Sequence, residues 1–208
     1  VRLDRAGVVA GARALARTDP RLRRLLVAHG PPPLWSRPAG FTTLLRIILE
    51  QQVSLASARA LYLRLTAALP EVSPVAVAAV GVDGLRRLGL TRQKAGYVHA
   101  LAAGVQGRRW RLDRLGRLDD DEACVELTRI PGVGPWSANI YLLMALRRPD
   151  VWPPGDLALE RALARLTGAR EPPDTAGAAE LAEAWRPLRA VAARMLWQSY
   201  LVERRRPQ

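Results

Sequence analysis

Cysteine is almost absent: Cys124 stands alone in 208 residues. One thiol cannot build a disulfide framework, a four-thiolate zinc site or a cysteine-ligated iron–sulfur cluster. Histidine is nearly as scarce, with only His29 and His99, too few for a histidine-rich metal centre. Lysine occurs once, at Lys94, among 32 basic residues. No apolar run approaches the ~20 residues of a membrane helix, and no signal peptide is expected. The expectation is a soluble, cytoplasmic protein that makes no membrane contact.

What the chain does contain is arginine and apolar side chains. The other 31 basic residues are all Arg, and against 19 acidic residues they leave a net charge of +13. A GC-rich genome explains arginine in place of lysine, but not the excess of positive charge. Cations that neutralise phosphates release condensed counterions, so nucleic acid is the expected partner, ahead of an acidic small molecule. An apolar fraction of 49% builds a core for one large domain or two packed lobes, and disorder is excluded.

The periodicity is helical nearly throughout, and all-α is the expected class. Val1 to Arg17 reads as a helix closed by Thr18-Asp19-Pro20. Asp19 can cap the next helix, with Pro20 at its first position and Gly30 past its end. Pro31-Pro32-Pro33 forces an extended connection. From Phe41 to Gln52, apolar residues at 41, 44, 45, 48 and 49 mark a buried face. Ser54 caps a helix from Leu55 to Leu69, Ser73-Pro74 opens another, and Thr91 caps a third through about Ala103. That third helix carries Lys94, read most simply as a surface residue. Residues 105–118 read as basic and irregular, and Asp119 to Glu122 as an acidic helix start that suits the macrodipole. No strand alternation, linker or internal repeat divides the chain. One domain over 1–208 is expected, with a helical N-terminal segment at 1–40 and the terminal helices packed as one lobe.

The most informative stretch is Leu127-Thr-Arg-Ile-Pro-Gly-Val-Gly-Pro-Trp-Ser-Ala-Asn139. A helix ending near Arg129, a tight turn at Pro131 to Gly134 and a helix opening at Pro135 make a helix–hairpin–helix over about 120–147. Its glycines let the backbone turn sharply and approach a ligand. The N–H groups opening the second helix make a phosphate site without base readout. Further on, Gly155-Asp156 precedes a helix from Leu157 to Leu166. Asp156 reads as an ordinary N-cap on spacing alone.

Taken together, the hairpin and Gly155-Asp156 some twenty residues on resemble the helix–hairpin–helix–Gly/Pro–Asp superfamily of base-excision DNA glycosylases. Within it the chain is similar to the alkylpurine branch, 3-methyladenine DNA glycosylase II, in a compact form without that branch's extra N-terminal β domain. Ile47-Ile-Leu-Glu-Gln-Gln-Val-Ser54 resembles the family's Gln-Gln-x-Ser junction. Arg148 to Asp156 resembles the stretch leading to the catalytic Asp, and Trp185-Arg-Pro-Leu-Arg189 with Trp197 the closing helix. The resemblance implies a bilobal helical fold with a DNA-binding cleft, the hairpin motif beside it, and Asp156 as catalytic carboxylate. It implies a base pocket formed by Trp136, Trp197 and Tyr141, and DNA contacts from Gln51, Gln52, Ser54, Gly132, Val133, Gly134 and Ser137. Gln52, or its neighbour Gln51, is the expected wedge in the duplex. For Trp197, core packing and a pocket wall are equally good readings of an apolar helix face. Ile140 and Leu157 stand where some members are aromatic, and Glu50 where many have a small residue. No cofactor is expected beyond a monovalent cation that the family implies at the hairpin carbonyls.

The implied reaction is hydrolysis of the N-glycosidic bond of an extruded alkylated purine in double-stranded DNA, performed by a monomer at the bacterial nucleoid. Relatives that also cleave the strand attack the sugar with a lysine placed directly after the hairpin. Trp136 fills that position here, which points to a monofunctional hydrolase. A non-catalytic hairpin module that only grips DNA and a bifunctional glycosylase/lyase are the competing readings.

Overall fold

The computed structural model describes residues 2–204. Among these residues the regular structure is entirely helical, as the periodicity requires: eleven α-helices, one short 3-10 helix at Leu115–Arg117, and no strand. The order is α1 Arg5–Thr18, α2 Pro20–His29, α3 Phe41–Glu50, α4 Leu55–Ala68, α5 Pro74–Arg87, α6 Arg92–Gln106, α7 Asp120–Thr128, α8 Pro135–Met144, α9 Leu157–Thr167, α10 Thr175–Glu183 and α11 Arg189–Arg204. The expected helix start at Val1 lies outside the described residues. Within them α1 begins at Arg5, because the Asp4 carboxylate accepts from the Gly7 N–H at 2.6 Å and caps the helix there.

Most other starts follow caps that are readable in the chain. Asp19, Ser54, Ser73, Thr91, Asp156 and Asp174 each accept from a backbone N–H of the helix they precede. Asp119 and Glu122 form a reciprocal capping box, so α7 starts at Asp120. Two departures have local causes. Helix α3 stops at Glu50, before the expected Gln52, because Gln51 is extended and Gln52 adopts a left-handed φ of 55°. Helix α5 is kinked at Gly81, whose φ of 68° only glycine takes without strain.

The chain divides into two compact units, one from the described parts of Val1–Ser36 and Leu142–Gln208, the other from Arg37–Tyr141. In the first unit, α11 is the central element: every residue from Ala190 to Trp197 is buried. Helices α1, α2, α9 and α10 pack on it. Gly11 of α1 lies against Val191, where an added Cβ would come within 3.1 Å of its side chain. Trp185 is buried and donates its indole N–H to Asp19 at 3.0 Å, tying the approach to α11 to the cap of α2. In the second unit, Leu44, Leu45, Ile47, Ile48 and Leu49 of α3 are buried on nearly all sides, the pattern of a core helix. Helices α4 and α6 pack on α3, and α5 on α6. Each buried Leu or Ile contributes about 1.5–3 kcal/mol of transfer free energy, which fixes where the ends of α3 lie.

Candidate functional site

The hairpin belongs to the second unit. After α7, the Val133 N–H donates to the Ile130 carbonyl at 2.9 Å and closes the turn, and α8 begins at Pro135. Ile130 and Val133 are buried and anchor the loop. Gly132 has φ 83°, and an added Cβ would lie 2.3 Å from the Tyr97 ring, so both backbone and space demand glycine. Gly134 is exposed, with nothing within 4 Å of where a Cβ would be. That is room for a phosphate to approach the backbone.

Gln51 ties this hairpin to the α3–α4 junction, and Lys94 of α6 holds the backbone of that junction. The Gln51 amide donates to the Gly132 carbonyl and to the Ser137 hydroxyl, both at 2.7 Å. The Lys94 ammonium donates to the carbonyls of Leu49 and Gln51, both at 2.8 Å. Lys94 is therefore not the free surface residue its helix position suggested. It satisfies carbonyls at the end of α3, which have no partner within that helix. Burial pushes its pKa below the usual lysine value.

Beyond this pinned junction Gln52, Val53 and Ser54 are exposed, and the Ser54 hydroxyl caps α4. A groove of about 1100 Å³ runs along the same unit, lined by Gln51, Gln52, Arg64, Arg92, Tyr97 and the hairpin. Its lining includes no carboxylate. Glu50, nearby in sequence, is neutralised by Arg37 through two contacts of 2.9 Å.

Two expected pocket residues also lie in the second unit. Trp136, the second residue of α8, is partly exposed. Tyr141 is fully enclosed, and its hydroxyl accepts from the Gly40 N–H at 2.8 Å; burial pushes its pKa up. Its side chain thus supports the start of α3, with no open face for a ligand. Ile140 is buried too.

Asp156 belongs to the first unit. Gly155, with φ 72°, turns the chain into α9. Asp156 Oδ1 then accepts from the N–H groups of Ala158 and Leu159, each at 3.0 Å, and from the Trp197 indole at 3.2 Å. The cap role and the arrival of Trp197 hold together: three donors converge on one oxygen and fix the carboxylate's orientation. Trp197 is buried on α11, and Trp35 stands against it edge to face, with ring centroids 6.4 Å apart. Sequence reasoning missed Trp35. Its one signal is an aromatic residue two positions after Pro31-Pro32-Pro33. Leu157, next to Asp156, is exposed.

No group of three or more His, Cys, Asp or Glu side chains arranged for a metal occurs among the described residues. No helix among them is long and apolar enough to cross a membrane.

Residues 45–187 match the family described as HhH-GPD superfamily base excision DNA repair protein. The chain belongs to that superfamily. It is 24% identical over 183 residues to DNA-3-methyladenine glycosylase 1 of Schizosaccharomyces pombe, covering 86% of this chain and 80% of that protein. It is 33% identical over 84 residues to the DNA-3-methyladenine glycosylase of Saccharomyces cerevisiae, covering 39% of this chain and 28% of that one. A Bacillus subtilis relative is matched over 65% of its length, so the chain spans less than two thirds of some curated relatives. Among solved structures it is similar to DNA-3-methyladenine glycosidase of Bacillus halodurans, with a TM-score of 0.79 and 27% identity over 93% of this chain and 91% of that one.

Proposed function

We propose that this superfamily member is a monofunctional DNA glycosylase that hydrolyses the N-glycosidic bond of alkylated purines, of the 3-methyladenine and 7-methylguanine kind, in double-stranded DNA. The observation that carries the reading is the Asp156 carboxylate, aimed by two backbone N–H groups and the Trp197 indole. The relatives' names, DNA-3-methyladenine glycosylase, supply the substrate class.

An alkylated purine carries a positive charge and leaves readily, so the reaction needs little general acid. It needs a fixed anion beside the sugar as the C1′–N bond breaks and its electron pair departs with the base. Asp156 offsets the developing oxocarbenium charge and orients the water that forms the new C1′–O bond, taking that water's proton. In the first unit Trp197, beside Asp156, is the aromatic surface for the extruded base.

The second unit supplies the grip. Gly134 admits a phosphate to the hairpin backbone, and Arg64 and Arg92 supply positive charge along the groove. Gln52, exposed at the tip of the pinned junction, is the residue placed to fill the gap left by the flipped nucleotide, whose unstacking costs a few kcal/mol. Gln51 is committed to the hairpin instead. Hydrolysis without strand cleavage follows from lysine usage: position 136 is Trp, and the Lys94 amine is donated to two carbonyls. The hairpin carbonyls of Ile130 and Gly132 each accept one protein hydrogen bond and keep a second lone pair for the monovalent cation the family implies. Such an ion would add positive charge beside a phosphate. The chain acts as a monomer, in the compartment that holds the genome.

Asp156→Asn tests the reading, because Asn still caps α9. Release of 7-methylguanine from a defined duplex should be lost, while affinity for the same duplex is kept. Unchanged release would remove Asp156 from the chemistry. Duplex binding by the wild type without any base release would make the chain a binding module.

A further inference from the structure

We propose that Trp35 is a specificity-determining residue that selects positively charged bases. The inference rests on the glycosylase reading above and names a wall of its base site that the sequence left unassigned.

Four observations within the first unit carry it. Trp35 packs edge to face on Trp197, the residue whose indole N–H reaches Asp156. Trp35 is only partly buried, so some of its aromatic surface is open within two side chains of the carboxylate. Its backbone is left-handed, with φ 44°, a conformation that a bulky non-glycine residue adopts only when its surroundings impose it. The constraint is visible one residue earlier, where the Leu34 carbonyl accepts from Arg194 Nε at 2.8 Å.

Arg194 is an unusual anchor. It is fully buried in α11 and spends its remaining donors on the carbonyls of Leu143 and Ala190, both at 2.8 Å. Burial pulls its pKa down to about 10, so it stays charged at neutral pH. A buried charge bonded only to backbone carbonyls is costly to keep, and what it secures here is the placement of Leu34 and Trp35 beside Trp197. An electron-rich indole that stays partly open beside Trp197 favours a cationic base over a neutral one of the same size.

The test compares Trp35→Ala and Trp35→Phe with wild type in single-turnover release from three duplexes, carrying 7-methylguanine, 3-methyladenine or neutral hypoxanthine. Trp35→Ala should slow release of the two cationic bases by roughly 2- to 30-fold, the range of one cation–π contact, and affect hypoxanthine much less. Trp35→Phe should recover most of the rate. Binding to an undamaged duplex should not change. Equal slowing on all three bases, or no recovery by Phe, would reduce Trp35 to packing support for Trp197 and overturn the proposal. Wild-type rates in Trp35→Ala would overturn it as well. A wild type that releases none of the three bases sinks the glycosylase reading itself, and this inference with it.

Discussion

The indole nitrogen of Trp197 lies 3.2 Å from Asp156 Oδ1 and donates its hydrogen to that oxygen. The same oxygen already accepts two N–H groups of α9, so Trp197 adds no helix cap that α9 lacks. What it adds is direction, by tying the carboxylate to α11. Trp197→Phe keeps an aromatic ring but removes the donor and part of the buried indole's volume. A hydrogen bond to a charged group contributes about 1.5–3 kcal/mol, so base release should slow by roughly 10- to 100-fold. Thermal stability should fall by about 1–2 kcal/mol for the cavity left at this buried position, too little to unfold the chain in the assay. Single-turnover kinetics beside a melting curve separate the two; an unaltered rate would mean that α9 alone aims Asp156.

Gln51 and Gln52 are adjacent and should respond in opposite ways. Gln51→Ala deprives Gly132 and Ser137 of their partner, which should cost about 1–3 kcal/mol in stability and weaken duplex affinity through a looser hairpin. Gln52 is exposed. Gln52→Ala should therefore leave stability within ~0.5 kcal/mol of wild type while slowing base release. Urea denaturation and single-turnover assays on both variants decide this, and a stability loss confined to Gln52→Ala would reverse the assignment.

This pair also shows what the sequence could and could not convey. Helices, caps and the hairpin are local matters of periodicity, Ser/Thr/Asp placement and Gly–Pro spacing, and they were legible at Ser54, Thr91, Asp119 and Gly134. The choice between Gln51 and Gln52 was not, because it depends on a carbonyl 81 residues away. Lys94 reads as solvent-facing for the same reason: its acceptors end a different helix, 43 and 45 residues back. Arg194 sits in an apolar helix face, and Trp35 follows a run of prolines. Neither position carries a local pattern that announces the long-range contact it makes.

Lys94 should prove structural and not nucleophilic. The wild type should give no borohydride-trapped adduct with DNA that carries an abasic site, since an amine engaged with two carbonyls is not poised to attack the sugar. Lys94→Met should lower stability by about 1–3 kcal/mol by orphaning those carbonyls, and should weaken base release through the displaced Gln52. A trapped adduct in the wild type that disappears in Lys94→Met would establish a lyase.

Gly132→Ala places a methyl group into the Tyr97 ring, at 2.3 Å, on a residue with φ 83°. The left-handed backbone alone costs about 1–2 kcal/mol for a residue with a Cβ, and the clash adds to it. Salt-dependent duplex binding should weaken with the variant, because the hairpin must shift to accommodate the methyl. Tyr97→Ala combined with Gly132→Ala should restore part of the affinity by relieving the clash but not the backbone strain. Failure of the double variant to improve on the single one would place the whole effect in the backbone.

Asp19 sets an acid limit on the first unit. Burial alone would raise its pKa, but hydrogen bonds from Arg21 and the Trp185 indole, with the Arg21 charge, outweigh burial and hold it at about 2 against the ordinary 3.8. The folded state therefore binds the proton more weakly than the unfolded chain does. Its contribution is fully present above about pH 4 and is lost as pH falls through 2. A shift of this size corresponds to about 2 kcal/mol, and the side chain is largely buried, so little of it is screened. Asp19→Asn keeps a capping side chain on α2 but has no charge to titrate. Urea midpoints for the wild type should fall between pH 4 and pH 2 more steeply than those of Asp19→Asn. Parallel slopes would assign the acid sensitivity to other carboxylates.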